Sequence, residues 1–110
     1  MNKKLKRMIK KHVGIVKSMY PELYVKVIMV IDDILVSVSS LEISEEERYE
    51  DLMYDFIKEY EREGYWDVYW GVDDTLTCDK LELLEDFVKL PEKKEKILRK
   101  ENPKQSVVNF

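Results

Sequence analysis

A single histidine and a single cysteine limit the chemistry open to this chain. One histidine removes every mechanism that needs two. One thiol removes an internal disulfide framework and a cysteine-only zinc site. His12 lies on or beside an apolar stripe formed by Leu5, Met8, Ile9, Val13, Val16 and Tyr20. There it reads as a boundary histidine, half buried with its nitrogens in water, rather than as a base or a ligand. Cys78 stands close to Asp74 and Asp79. Acids so near oppose the thiolate that a nucleophile needs, so Cys78 reads as a structural or incidental thiol.

The acids Asp67, Asp73, Asp74 and Asp79 invite a metal test. Asp73, Thr75, Thr77 and Asp79 alternate as calcium-loop ligands do, but Cys78 stands where a glycine belongs and Leu84 where a glutamate belongs. The reading is no metal and no cofactor, with turn chemistry at Asp73-Asp74 and a helix cap at Asp79. Three glycines, Gly14, Gly64 and Gly71, cannot build a phosphate loop. Catalytic residues are therefore not assigned. A carboxylate- or metal-dependent enzyme ranks last of three functional readings.

Two features point to binding instead. Tyr65-Trp66-Asp67-Val68-Tyr69-Trp70 concentrates side chains that combine a large apolar area with a polar tip. Strand alternation puts Trp66 and Trp70 in the core and turns Tyr65, Asp67 and Tyr69 the other way. With Asp73 and Asp74, these form an acidic-aromatic surface for a protein partner, expected to be basic, or for a second copy of the chain. The competing feature is the basic face of Lys3, Lys4, Lys6, Arg7, Lys10 and Lys11, which reads as an alternative nucleic-acid site. One arginine and no interleaved aromatic make it a poor stacking platform, and a solvated helix face explains it as well.

Charge is segregated behind the net −4. Residues 1–17 carry +7, residues 18–90 carry −14 and residues 91–110 carry +3. An acidic middle between basic ends can neutralise itself or present faces of opposite sign. Lysines interrupt the apolar residues near the N-terminus, so no signal peptide is read there, and no stretch is long enough to span a bilayer. The expected location is cytoplasmic. The length of 110 residues suits one domain, and 45% hydrophobic residues with three prolines exclude a disordered or low-complexity chain.

The elements that position these residues follow from periodicity. Helical spacing runs from Asn2 to Met19 and stops at Pro21. Leu23–Ile31 and Ile34–Ile43 read as strands joined by an Asp32-Asp33 turn, which pairs Ile31 with Ile34, Met29 with Val36, Val27 with Val38 and Val25 with Ser40. Ser44 and Glu47 form a capping-box pattern for a helix carrying Tyr49, Leu52, Met53, Phe56, Ile57 and Tyr60, ended by Gly64. A third strand spans Trp66–Val72, with a short fourth strand or loop over Thr75–Cys78. Asp79 then caps a helix reaching Leu90, and Pro91 opens a short basic helix that Pro103 ends.

The fold expected is α+β, a small antiparallel sheet of three or four strands with helices on one face, in the order α-β-β-α-β-(β)-α-α. One domain covers 1–101 and a loosely ordered tail covers 102–110. The function expected is a small acidic, non-catalytic protein-binding or regulatory module.

Overall fold

A computed structural model describes residues 2–84 of the chain. The helix expected after Asp79 begins within these residues, 82–84 being helical, while its continuation towards Leu90, the helix after Pro91 and the tail 102–110 lie outside the described residues. The first helix, α1, runs Lys3–Met19, close to its expected span. The Asn2 side chain accepts the Leu5 N–H at 2.8 Å and so supplies the N-cap. Leu5, Ile9, His12, Val13 and Val16 are its buried stripe, and Pro21 ends it one residue after Tyr20.

Two strands follow, β1 (Val25–Val30) and β2 (Asp33–Val38), paired antiparallel. Val25 faces Val38, Val27 faces Val36 and Met29 faces Ile34. This register is two residues away from the expected one, and the turn residues are Ile31 and Asp32 instead of Asp32 and Asp33. The base of the hairpin explains the shift. Ser39 Oγ accepts the Tyr24 N–H at 2.9 Å, and the Ser39 N–H bonds the Tyr24 carbonyl at 3.1 Å. Pinning Tyr24 opposite Ser39 forces the tip onto Ile31. A slip of two preserves the faces, so the expected apolar face survives. The strain falls on Ile31, whose φ of 57° is left-handed. That region is an outlier for a β-branched side chain.

β2 stops at Val38, well short of Ile43, because Ser40 caps a short helix. Its Oγ accepts the Ile43 N–H at 3.1 Å, opening α2 (Leu41–Ser44). The expected capping box at Ser44 and Glu47 does not form. Ser44 is already inside α2, and its hydroxyl donates to the Leu41 carbonyl at 2.6 Å. The long helix α3 spans Glu47–Arg62 and starts at Glu46 with no side-chain cap. Its C-terminus is closed by a Schellman motif. The Gly64 N–H bonds the Glu61 carbonyl at 3.0 Å and the Tyr65 N–H bonds the Tyr60 carbonyl at 2.8 Å, with Gly64 at φ 82°.

The strand β3 (Val68–Val72) is shorter than expected and runs parallel to β2. The sheet is therefore mixed, in the order β1-β2-β3, rather than antiparallel. The reason is the crossover. A helix of 16 residues between two strands returns the chain to the end where β2 began, so the next strand enters in the same direction. Thr75–Cys78 is a loop, not a fourth strand. Its turn is held by Asp73, which accepts the Thr75 N–H at 3.1 Å and the Thr75 hydroxyl at 2.5 Å.

One buried cluster joins the stripes of α1 and α3 to Val25, Val27, Ile34, Val36 and Val38 on a single sheet face. Helices thus cover one face, as expected. The opposite face carries Lys26, Ile28, Leu35, Ser37, Tyr69 and Gly71. Among the described residues no helix is long and apolar enough to cross a membrane.

Candidate protein-binding surface

The two edges of the sheet are treated differently. Along β1, Lys80 adds a parallel bridge: the Val27 N–H bonds the Lys80 carbonyl at 2.8 Å and the Lys80 N–H bonds the Val25 carbonyl at 2.9 Å. Asp79 Oδ1 takes the Val25 N–H at 2.9 Å while Oδ2 takes Lys17 at 2.5 Å. Asp79 therefore caps a strand edge, where a helix cap was expected. Burial pushes the Asp79 carboxyl up, but Lys17 and the Val25 amide outweigh it and hold it below the usual range.

The β3 edge has no such cover among the described residues. The Ile34 N–H bonds the Asp67 carbonyl at 2.8 Å and the Asp73 N–H bonds the Val38 carbonyl at 2.9 Å. Odd residues of this segment thus turn their main-chain groups towards β2. Val68, Trp70 and Val72 turn theirs away, to the open edge. Beside it lies a groove of about 220 Å³ walled by Ile57, Glu61, Tyr65, Trp66, Val68 and Tyr69. Trp66 is 66% exposed, Tyr69 50% and Ile57 49%. Glu61 and Asp67 are exposed acids on the same flank.

The expected contact residues are split by this geometry. Tyr69 lies on the sheet face that no described helix covers, and Asp67 and Asp74 are exposed. Tyr65 packs against the core and its hydroxyl donates to Asn2 Oδ1 at 3.3 Å, so it does not share the face of Tyr69. Asp73 is engaged by Lys26 at 2.7 Å, and with the Thr75 bonds this holds its carboxyl well below the usual range. The tryptophans divide as well. Trp70 meets Phe56 with ring centroids 5.4 Å apart, whereas Trp66 stands outside the strand, in the connector after Gly64, and faces solvent. Trp66, Ile57 and Glu61 belong to the groove although alternation and helical spacing placed the first two in the core. The signal for Trp66 was its place two residues past the glycine that ends α3, before the strand has begun.

His12 differs most from expectation. It is fully buried, stacked on Phe56 at 3.9 Å and 12° between planes. Nδ1 lies 2.8 Å from the Tyr60 hydroxyl and Nε2 3.1 Å from Glu59 Oε1. A carboxylate can only accept, so the neutral ring donates from Nε2 and accepts the Tyr60 O–H at Nδ1. Burial lowers the imidazole pKa, and the Glu59 hydrogen bond and charge oppose that only in part. Burial likewise pushes the Tyr60 phenol up. The Trp70 indole acts on that phenol in the opposite sense, yet its buried N–H makes no hydrogen bond of normal geometry among the described residues. Both ring nitrogens of His12 are engaged within the fold, which makes this a structural network.

Of the basic α1 face, Lys4 pairs with Glu63, and Lys11 with Glu59 at 3.5 Å. Lys3, Lys6, Arg7 and Lys10 stand on the same helix, beside the acidic α3. Carboxylates so close oppose a phosphate backbone. Cys78 is exposed. Among the described residues no three metal-ligating side chains come together. No protein-family model, curated protein or solved structure matches the chain.

Proposed function

We propose that this protein is a non-catalytic protein-binding module that accepts an extended, basic segment of a partner along the free edge of β3. The observation that carries the reading is the contrast between the edges: β1 is covered by Asp79-Lys80, while the described residues leave β3 open beside an aromatic groove. Strand addition draws affinity from main-chain hydrogen bonds and specificity from pockets for alternate side chains. Val68, Trp70 and Val72 supply the main-chain groups. Ile57, Trp66 and Tyr69 supply apolar contact, and Glu61 and Asp67 favour lysine or arginine on the incoming strand.

The test is a tryptophan-fluorescence titration with a peptide alternating lysine and valine. Val72→Pro removes one outward N–H without touching the β2 ladder, so the variant folds. Wild type binds, Val72→Pro and Tyr69→Ala bind more weakly, and a glutamate-valine peptide does not bind. Equal binding by wild type and Val72→Pro contradicts the reading.

A further inference from the structure

A recess of about 150 Å³ opens at the end of the sheet where β3 begins. Its floor is apolar, made by the buried Leu5 and Ile34 and the half-buried Val68. Trp66, Asp32 and Asp67 line it as well, and all three are exposed. A cofactor site of ordinary size needs about 300–1,000 Å³. This recess is smaller and suits a group no larger than benzene, which is the bulk of one side chain.

Two hydrogen bonds hold its walls together. The Tyr65 hydroxyl donates to Asn2 Oδ1 at 3.3 Å and ties the start of α1 to the connector after α3. The Asp67 carbonyl accepts the Ile34 N–H at 2.8 Å, which brings Asp67 alongside the hairpin turn that carries Asp32. The two acids differ from those the fold uses. Glu59, Glu63, Asp73 and Asp79 each meet a lysine. Asp32 and Asp67 meet no cation among the described residues. Lys4, whose charge reaches Tyr65, is held by Glu63.

An apolar floor under an indole and two carboxylates matches a cation on an aliphatic stem. Methylenes lie along apolar surface while the charged head stays at the rim. The aromatic ring adds its own attraction for the cation. Lysine has this form, a compact ammonium on a flexible stem. Tyr65, Trp66 and Val68 line both this recess and the groove beside β3, so a strand added to that edge passes its mouth.

We propose that the recess is the socket for one lysine side chain of the partner segment, its stem on Leu5, Ile34 and Val68 and its ammonium beside Trp66 between Asp32 and Asp67. The socket presupposes strand addition at β3 and sets which side chain that edge selects.

The test is a tryptophan-fluorescence titration of the full chain with two peptides of alternating valine and serine. One carries a single lysine. The other carries norleucine in its place, which keeps the stem and removes the ammonium. Wild type binds the lysine peptide about fivefold to tenfold more tightly. Asp32→Asn, which keeps the turn chemistry of that position, loses most of this preference. Val72→Pro weakens both peptides by the same factor, because it acts on the main chain. The peptide pair leaves the protein unchanged, so it reads the socket without any variant. Equal binding of the two peptides by wild type overturns the socket. Tighter binding of the norleucine peptide also overturns it and makes the recess an apolar pocket, and a preference that survives Asp32→Asn overturns it too. In each case strand addition stands if Val72→Pro still weakens the lysine-valine peptide, and it fails separately if that variant binds as wild type does.

Discussion

A histidine with no exposed surface must shed its charge or keep a counter-ion beside it, and His12 does the first with Glu59 at hand. Its folded pKa lies below that of the unfolded chain, near 6.5. The unfolded state therefore takes up the proton first as the pH falls. The stability contributed by neutral His12 is intact above about pH 6.5 and is lost progressively below it. Urea midpoints at pH 8, 6.5 and 5.5 should fall in that order, and His12→Phe should flatten this slope. The same variant leaves the Tyr60 hydroxyl without its acceptor and costs about 1–3 kcal/mol at pH 8. Ile31 makes the opposite prediction. Glycine there relieves backbone strain of about 1–3 kcal/mol, so Ile31→Gly should raise the urea midpoint. Spacing placed His12 beside the apolar stripe. It could not reveal Glu59 and Tyr60, which arrive 47 and 48 residues later through the packing of α3 on α1.

At the scale of the elements, local signals were legible where one residue decides and misleading where two compete. Pro21 and Gly64 end their helices as expected, because each acts through its own backbone. Gly64→Ala should cost about 1 kcal/mol by thermal or chemical denaturation, since alanine resists φ 82°. Ser40 and Ser44 both resemble caps, and the nearer one won. Ser40→Ala should lower stability by about 1 kcal/mol. Ser44→Ala should change it by less than about 0.5 kcal/mol. The strand faces survived a register slip of two, since parity fixes faces while the distant Tyr24–Ser39 pair fixes register. The parallel entry of β3 was readable from the long helix between two strands, a signal that adjacent-hairpin reasoning overlooked.

For the whole molecule, segregation of charge resolves into packing. The basic α1 lies against the acidic α3, so part of the +7 at the N-terminus is spent on Glu59 and Glu63. Glu61 and Asp67 remain exposed beside the one sheet edge that the described residues leave open. The Asp67–Tyr69 region was legible as a surface from its composition. Its true walls, Ile57, Trp66 and Glu61, were not, because they join only when α3 folds over β3. The most direct test is amide exchange read by NMR with and without the lysine-valine peptide. In the free protein the Val68, Trp70 and Val72 amides point away from β2 with no acceptor among the described residues, and they should exchange fast. Strand addition predicts that these three become protected on binding while those of β1 do not change. Shifts confined to the sheet face opposite the helices, at Ile28 and Leu35, with the three β3 amides still exchanging freely, would contradict it.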